Sequence, residues 1–168
     1  MLVCGEKEKG DNMENVTLCI CLRDKQILLG IKKRGPGTGK WNAYGGHVEA
    51  GEEEKAAAVR ELEDECGLRA DVADLRKVAL IQFDFGLIPA FMCHVYMLRK
   101  WQGETRETEE MGTHTWFPLS AIPYTGMWAA DKYWLSMVLY GATFRAHIMY
   151  SVDGSDVISF VPMNCKFR

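Results

Sequence analysis

"RELEDECG", residues 60–67, places four carboxylates and one arginine in eight positions. On a helix, with Glu61 at zero, Asp64 falls about 60° to one side and Glu65 about 40° to the other, so the three acids share a face. Like charges at such spacing destabilise a bare helix by a few tenths of a kcal/mol per pair, and a hard divalent cation would offset that. Arg60 lies off the acidic face, within reach of Glu52 near the helix start, where it would fix the preceding loop. Upstream, Ala56, Val59 and Leu62 repeat at helical spacing, with Ala57 and Cys66 flanking, and Gly67 stands where a left-handed C-cap is wanted. A helix is expected over 53–66.

Outward from this helix the chain alternates between strand-like runs and glycine-rich turns. "VTLCICL" (16–22) and "QILLGIKK" (26–33) are β-rich and separated by three polar residues, as in a hairpin. "RGPGTGK" (34–40) is a glycine loop. Residues 75–85 and 90–100 are long strand candidates, and 114–119 is a shorter one. A second helix is expected from Asp131 to about Gly141, and 144–152 with 156–163 form a closing hairpin. Strands and helices in this order predict one α/β domain over 16–168, an α/β/α sandwich around a mixed sheet, after a loose polar segment at 1–15.

Composition narrows the function. The 168 residues include 48% hydrophobic side chains and carry a net charge of -3. That charge argues against non-specific adhesion to nucleic acid, and no basic stripe interleaved with aromatics supports polynucleotide binding. Six scattered cysteines without a C-x-x-C pair, and four histidines without ligand spacing, predict buried free thiols rather than a zinc site. The start lacks a secretory signal and no stretch is long enough to span a bilayer, so a cytoplasmic monomer is expected, with neither a membrane nor a polynucleotide as partner.

From Gly46 the chain runs G, five residues, Glu52, seven residues, Arg60-Glu61-Leu62, one residue, Asp64-Glu65, one residue, Gly67-Leu68. This resembles the Nudix box, G-x5-E-x7-R-E-U-x-E-E-x-G-U with U aliphatic, at every position but one: Asp64 stands where the family has glutamate. The resemblance implies the Nudix fold and metal-assisted attack of water on a phosphorus of a nucleoside diphosphate-containing compound. It also implies Mg²⁺, with Mn²⁺ as the alternative. The Gly46 carbonyl, Glu61, Asp64, Glu65 and Glu110 would be ligands, and Glu61, Glu65, Arg60 and Glu52 would be the catalytic set. Asp64 is one methylene shorter than the family residue.

Outside the box, "KKRGPGTGKWNAYGGHVEAGE", "FDF" (83–85), "EEMGTHTWF" and "IPYTGMWAADKYW" resemble the oxidised-purine nucleoside triphosphatase branch of this family, the animal MutT homologues. By that resemblance Asn42 and Asp131 would hydrogen-bond the purine edge, Trp128 would stack on its face, Phe83 would line the pocket and Lys32 would steer the triphosphate. A carboxylate suits guanine because N1–H and the exocyclic amine are adjacent donors. Two departures bear on base preference: Ala130 replaces one of two paired aspartates, and Pro36 replaces an aromatic residue in the glycine loop. The expected activity is hydrolysis of a small nucleotide, an 8-oxo-dGTP-like substrate, to the monophosphate and pyrophosphate. Competing readings are a Nudix hydrolase of a methylated purine triphosphate, a dinucleoside polyphosphate or a capped RNA end, and a non-catalytic Nudix-fold binding module.

Overall fold

Strand β1, Glu14–Arg23, is buried on both faces, and its alternation divides the core in two. Cys19 and Cys21 point into one apolar cluster and Ile20 and Leu22 into another, as a period-two side-chain pattern requires of a sheet with something packed on either side. The computed structural model describes residues 13–167. Its remaining elements are β2 (Gln26–Lys32), β3 (Trp41–Asn42), α1 (Glu54–Cys66), β4 (Arg76–Phe85), β5 (Ile88–Leu98), β6 (Met111–Pro118), α2 (Asp131–Leu139), β7 (Phe144–Tyr150) and β8 (Val157–Asn164).

The strands run in the order β3-β2-β1-β5-β4-β7-β8, with β6 joined to β2. β1 is parallel to β5 and β4 is parallel to β7, while the other pairs are antiparallel, so the sheet is mixed. Helix α1 contributes Ala58, Leu62 and Cys66 to the first cluster. Helix α2 contributes Trp134, Leu135 and Val138 to the second. The result is the expected α/β/α sandwich. Leu62 is completely buried, and a leucine so placed contributes about 2 kcal/mol through its apolar surface alone.

Helix α1 ends as its sequence requires. Gly67 adopts φ 83°, and its N–H donates to the Glu63 carbonyl at 2.8 Å, which is the left-handed cap that a residue with a Cβ resists.

Some boundaries differ from those expected. β1 begins at Glu14, inside the segment expected to be loose, because Glu14 and Asn15 pair with Phe91 and Met92 of β5; the rest of that expectation, and Cys4, fall outside the described residues. β6 begins at Met111, three residues early, where a fully buried Met111 pairs with Lys32 across a register shift. The two-residue β3 was not foreseen, since it is too short to show alternation. The five described cysteines are free thiols, four of them buried.

Candidate active site

The acids of α1 project toward the Gly45-Gly46 segment. Glu65 is almost fully enclosed, with its side chain 3% exposed. One of its oxygens accepts from the Gly45 backbone N–H at 2.8 Å and the other from the Lys32 ammonium at 2.8 Å. Burial raises its carboxyl above the ordinary range, and Lys32 and the Gly45 N–H oppose that rise. Glu61 lies against Gly46 so closely that a Cβ there would stand 2.6 Å from its carboxyl carbon. Gly45 is tighter still: a Cβ would collide with the Thr17 carbonyl. Both glycines are therefore close-approach positions.

Arg60 is the brace. Its Nε and Nη2 donate to the two oxygens of Glu52 at 2.9 Å each, its Nη1 to Glu61 at 2.7 Å and its Nη2 also to the His47 carbonyl at 3.0 Å. This fork-to-fork pair holds the Glu52 carboxyl well below the usual range, at about 2. The Glu49 N–H adds a bond to Glu52 and closes the loop on itself.

Asp64 is placed differently from its neighbours: its side chain is 66% exposed and its closest cation is Arg60, at 4.0 Å. It lines the same cavity, of about 760 Å³, as Glu61, Glu65 and Glu110. Glu110 sits at the rim, where Arg34 first, then Lys32, lowers its carboxyl. The Gly46 carbonyl accepts from the Thr17 N–H at 2.8 Å, which leaves one lone pair for another partner. Lys32, expected to steer the triphosphate, pairs with Glu65 and Glu110, at 2.8 and 3.5 Å. Burial works against its charge, but the two carboxylates prevail and raise its pKa.

A second cavity, of about 240 Å³, adjoins the first across Gly45 and Gly46. Asn42, Phe83, Phe85, Phe91, Trp128 and Asp131 are among its walls, so the structure brings together the four residues expected around the purine. Asp131 is 8% exposed. Its two oxygens accept from the Trp134 indole N–H at 3.0 Å and the Trp128 backbone N–H at 3.1 Å. Burial nevertheless pushes its carboxyl up to about 7. The amide nitrogen of Asn42 donates to the Lys40 carbonyl at 3.2 Å.

Trp128 packs its indole against Gly37 of the glycine loop, and Lys40 lies over its ring at 5.6 Å. Lys40, Gly45 and Tyr150, which meets Trp128 edge-on, were missed from sequence. A cation at the end of the glycine loop was the one available signal. Ala130 is fully buried and does not line this cavity, and Pro36 is exposed on the loop.

The sequence that builds this acid-lined cavity and the aromatic pocket beside it matches a known family. The NUDIX domain profile matches residues 12–138, and the chain belongs to the NUDIX family as a Nudix hydrolase. It is 38% identical over 144 residues to the oxidized purine nucleoside triphosphate hydrolase of Danio rerio, covering 85% of this chain and 89% of the relative. To the protein of the same name from Mus musculus it is 38% identical over 145 residues, covering 86% and 90%. In fold it resembles a mutator MutT protein from Bacillus halodurans, with a TM-score of 0.77 at 24% identity, over 89% of this chain and 97% of that one.

Nudix hydrolases generally use divalent metal ions. Among the described residues no three His, Cys, Asp or Glu side chains form a ready-made cation site. The donors nonetheless suit a hard cation. They are oxygens, they repel one another, and side-chain cations, Lys32 and Arg60, already stand among them. No helix among the described residues is long and apolar enough to cross a membrane.

Proposed function

We propose that this protein hydrolyses oxidised purine nucleoside triphosphates, of the 8-oxo-dGTP kind, to the monophosphate and pyrophosphate, and so keeps damaged nucleotides out of the precursor pool. The observation that carries this reading is Asp131, a buried carboxyl that lines an aromatic pocket with Asn42 and with Gly45 and Gly46, the glycines that Glu65 and Glu61 contact. Its two oxygens suit the paired N–H donors of a guanine edge, and the surrounding rings suit a purine face.

Glu61, Glu65 and the Gly46 carbonyl would hold Mg²⁺, with Asp64 and Glu110 at the rim. Mn²⁺ has the same oxygen preference. When bound, the cation lowers the pKa of a coordinated water and neutralises charge on the phosphate chain. The chain's own residues supply the geometry. Arg60 ties Glu52 and Glu61 together, and the Gly45 N–H orients Glu65. Glu61 and Glu65 are the two carboxylates placed to take the proton of the attacking water. Trp128 and Phe83 hold the base, which fixes the phosphorus relative to the acids. Lys32 balances the acid cluster until the phosphate chain and its counter-cation enter. Free buried thiols at Cys19, Cys21, Cys66 and Cys93 suit a reducing cytoplasm.

The test is kcat/KM across 8-oxo-dGTP, 2-hydroxy-dATP, a methylated purine triphosphate, a dinucleoside polyphosphate and unmodified dGTP. The proposal predicts that 8-oxo-dGTP leads. It fails if unmodified dGTP or the dinucleoside polyphosphate leads, or if Asp131→Asn leaves 8-oxo-dGTP hydrolysis unchanged.

A further inference from the structure

Four cations line the acidic cavity: Lys33, Arg34, Arg60 and Arg106. Three are engaged. Arg60 is bonded to Glu52 and Glu61, Arg34 to Glu110, and Lys33 donates to the Thr108 carbonyl at 2.6 Å. The Arg106 guanidinium makes no hydrogen bond or ion pair among the described residues.

Although exposed, Arg106 is held in place. Its backbone N–H donates to the Cys66 carbonyl at 2.9 Å, and its own carbonyl lies 2.9 Å from His114 Nε2. Two residues on, the Thr108 hydroxyl donates to the Glu65 carbonyl at 3.1 Å and accepts from the Glu110 and Met111 N–H groups. The loop bearing Arg106 is thereby bolted to the end of α1. The side chain then crosses Gly67, where a Cβ would stand 2.9 Å from its Cγ and Nε. Gly67 serves twice, once for its positive φ and once by leaving room for this arginine.

Direction matters next. Gly45 and Gly46 line the base pocket, and Glu65 and Glu61 reach them from the acidic cavity. A nucleotide seated in the base pocket must pass its phosphate chain across these glycines. The scissile bond then lies at the carboxylates, and the phosphates beyond it extend toward the 106–110 wall. An unpaired planar guanidinium matches a terminal phosphate, which it binds through two parallel N–H bonds. We propose that Arg106 reads the terminal phosphate, so that the enzyme selects triphosphates over diphosphates. This rests on the nucleotide chemistry proposed above and names the part of the chain that sets phosphate number.

The experiment compares the same base with three and two phosphates. The kcat/KM for 8-oxo-dGTP, and the inhibition constant of 8-oxo-dGDP as a competitor, are measured for the wild type, Arg106→Gln and Arg106→Lys. Arg99→Gln, an exposed cation outside the cavity, controls for net charge. Arg106→Gln should lower kcat/KM for the triphosphate about tenfold and change the diphosphate constant less than about twofold. Arg106→Lys should recover much of the loss, and added salt should narrow the gap. Inorganic pyrophosphate should also inhibit Arg106→Gln less than wild type. Equal losses for both nucleotides, or a loss for neither, overturn the proposal. Failure of the underlying function shows separately, as a wild type that prefers dGTP to 8-oxo-dGTP in the same series.

Discussion

Asp131→Asn should make the protein more stable at neutral pH and less active. Both carboxyl oxygens of Asp131 accept from buried N–H groups, at 3.0 and 3.1 Å. An amide presents one NH₂ to one of those donors, and a buried donor left without an acceptor costs about 1–3 kcal/mol. That loss is independent of pH. Against it stands ionisation. The folded carboxyl titrates at about 7, whereas an unfolded aspartate titrates near 4. Over that window the folded protein keeps a proton that the unfolded chain has lost. The stability is therefore fully present below about pH 4 and falls by about 1.4 kcal/mol per pH unit until about pH 7. Between pH 5 and pH 7 wild type loses about 2 kcal/mol from this group, and the asparagine variant loses none of it. Urea unfolding of both proteins at pH 5, 6, 7 and 8 measures the difference, which should move by about that amount in favour of the variant. A difference that stays constant with pH would refute the placement of Asp131 as a buried, reluctant carboxylate. Activity should move the other way, because the guanine edge needs two acceptors. Under the proposed function, Asp131 serves the substrate at a cost to folding.

Substrate affinity should follow the same group. KM for 8-oxo-dGTP should fall as pH rises from 6 to 8, since the ionised carboxylate accepts both donors, and a flat KM over that range counts against Asp131 as the base reader. The two neighbouring glycines should fail in different ways. Gly45→Ala drives a Cβ into the Thr17 carbonyl and should cost about 3 kcal/mol in unfolding free energy. Gly46→Ala presses on the carboxylate end of the Glu61 side chain rather than on backbone, so its melting temperature should stay near wild type while kcat drops about 100-fold. Glu52→Gln breaks the two-bond brace to Arg60 and should lower kcat about tenfold with little change in KM. Stripping divalent metal with EDTA should abolish pyrophosphate release, and Mg²⁺ should restore it. Turnover that persists in EDTA would remove Glu61 and Glu65 from the role given to them.

Local chemistry in the sequence was enough to determine helix α1, its C-cap and the acids on one face. The helical period is three to four residues long, and a left-handed cap needs only a glycine in the right place. The β1–β2 hairpin and the closing β7–β8 hairpin were legible for the same reason, since each joins runs that are adjacent in sequence. What the tertiary structure decided is the company each group keeps. β1 lies parallel to β5 and β4 parallel to β7, and no local pattern specifies which distant strands pair. That pairing, with β2 and β6 beside it, brings Lys32 onto Glu65 and sets the Gly45 N–H against the same carboxylate. Asp131 was singled out only by the family resemblance, and its rise to about 7 comes from the packing around it. Arg106 carried no signal at all until its loop closed over Gly67 and left its charge without a partner among the described residues. Residue type and period belong to the chain, whereas burial and charge partners exist only once the strands have chosen their neighbours.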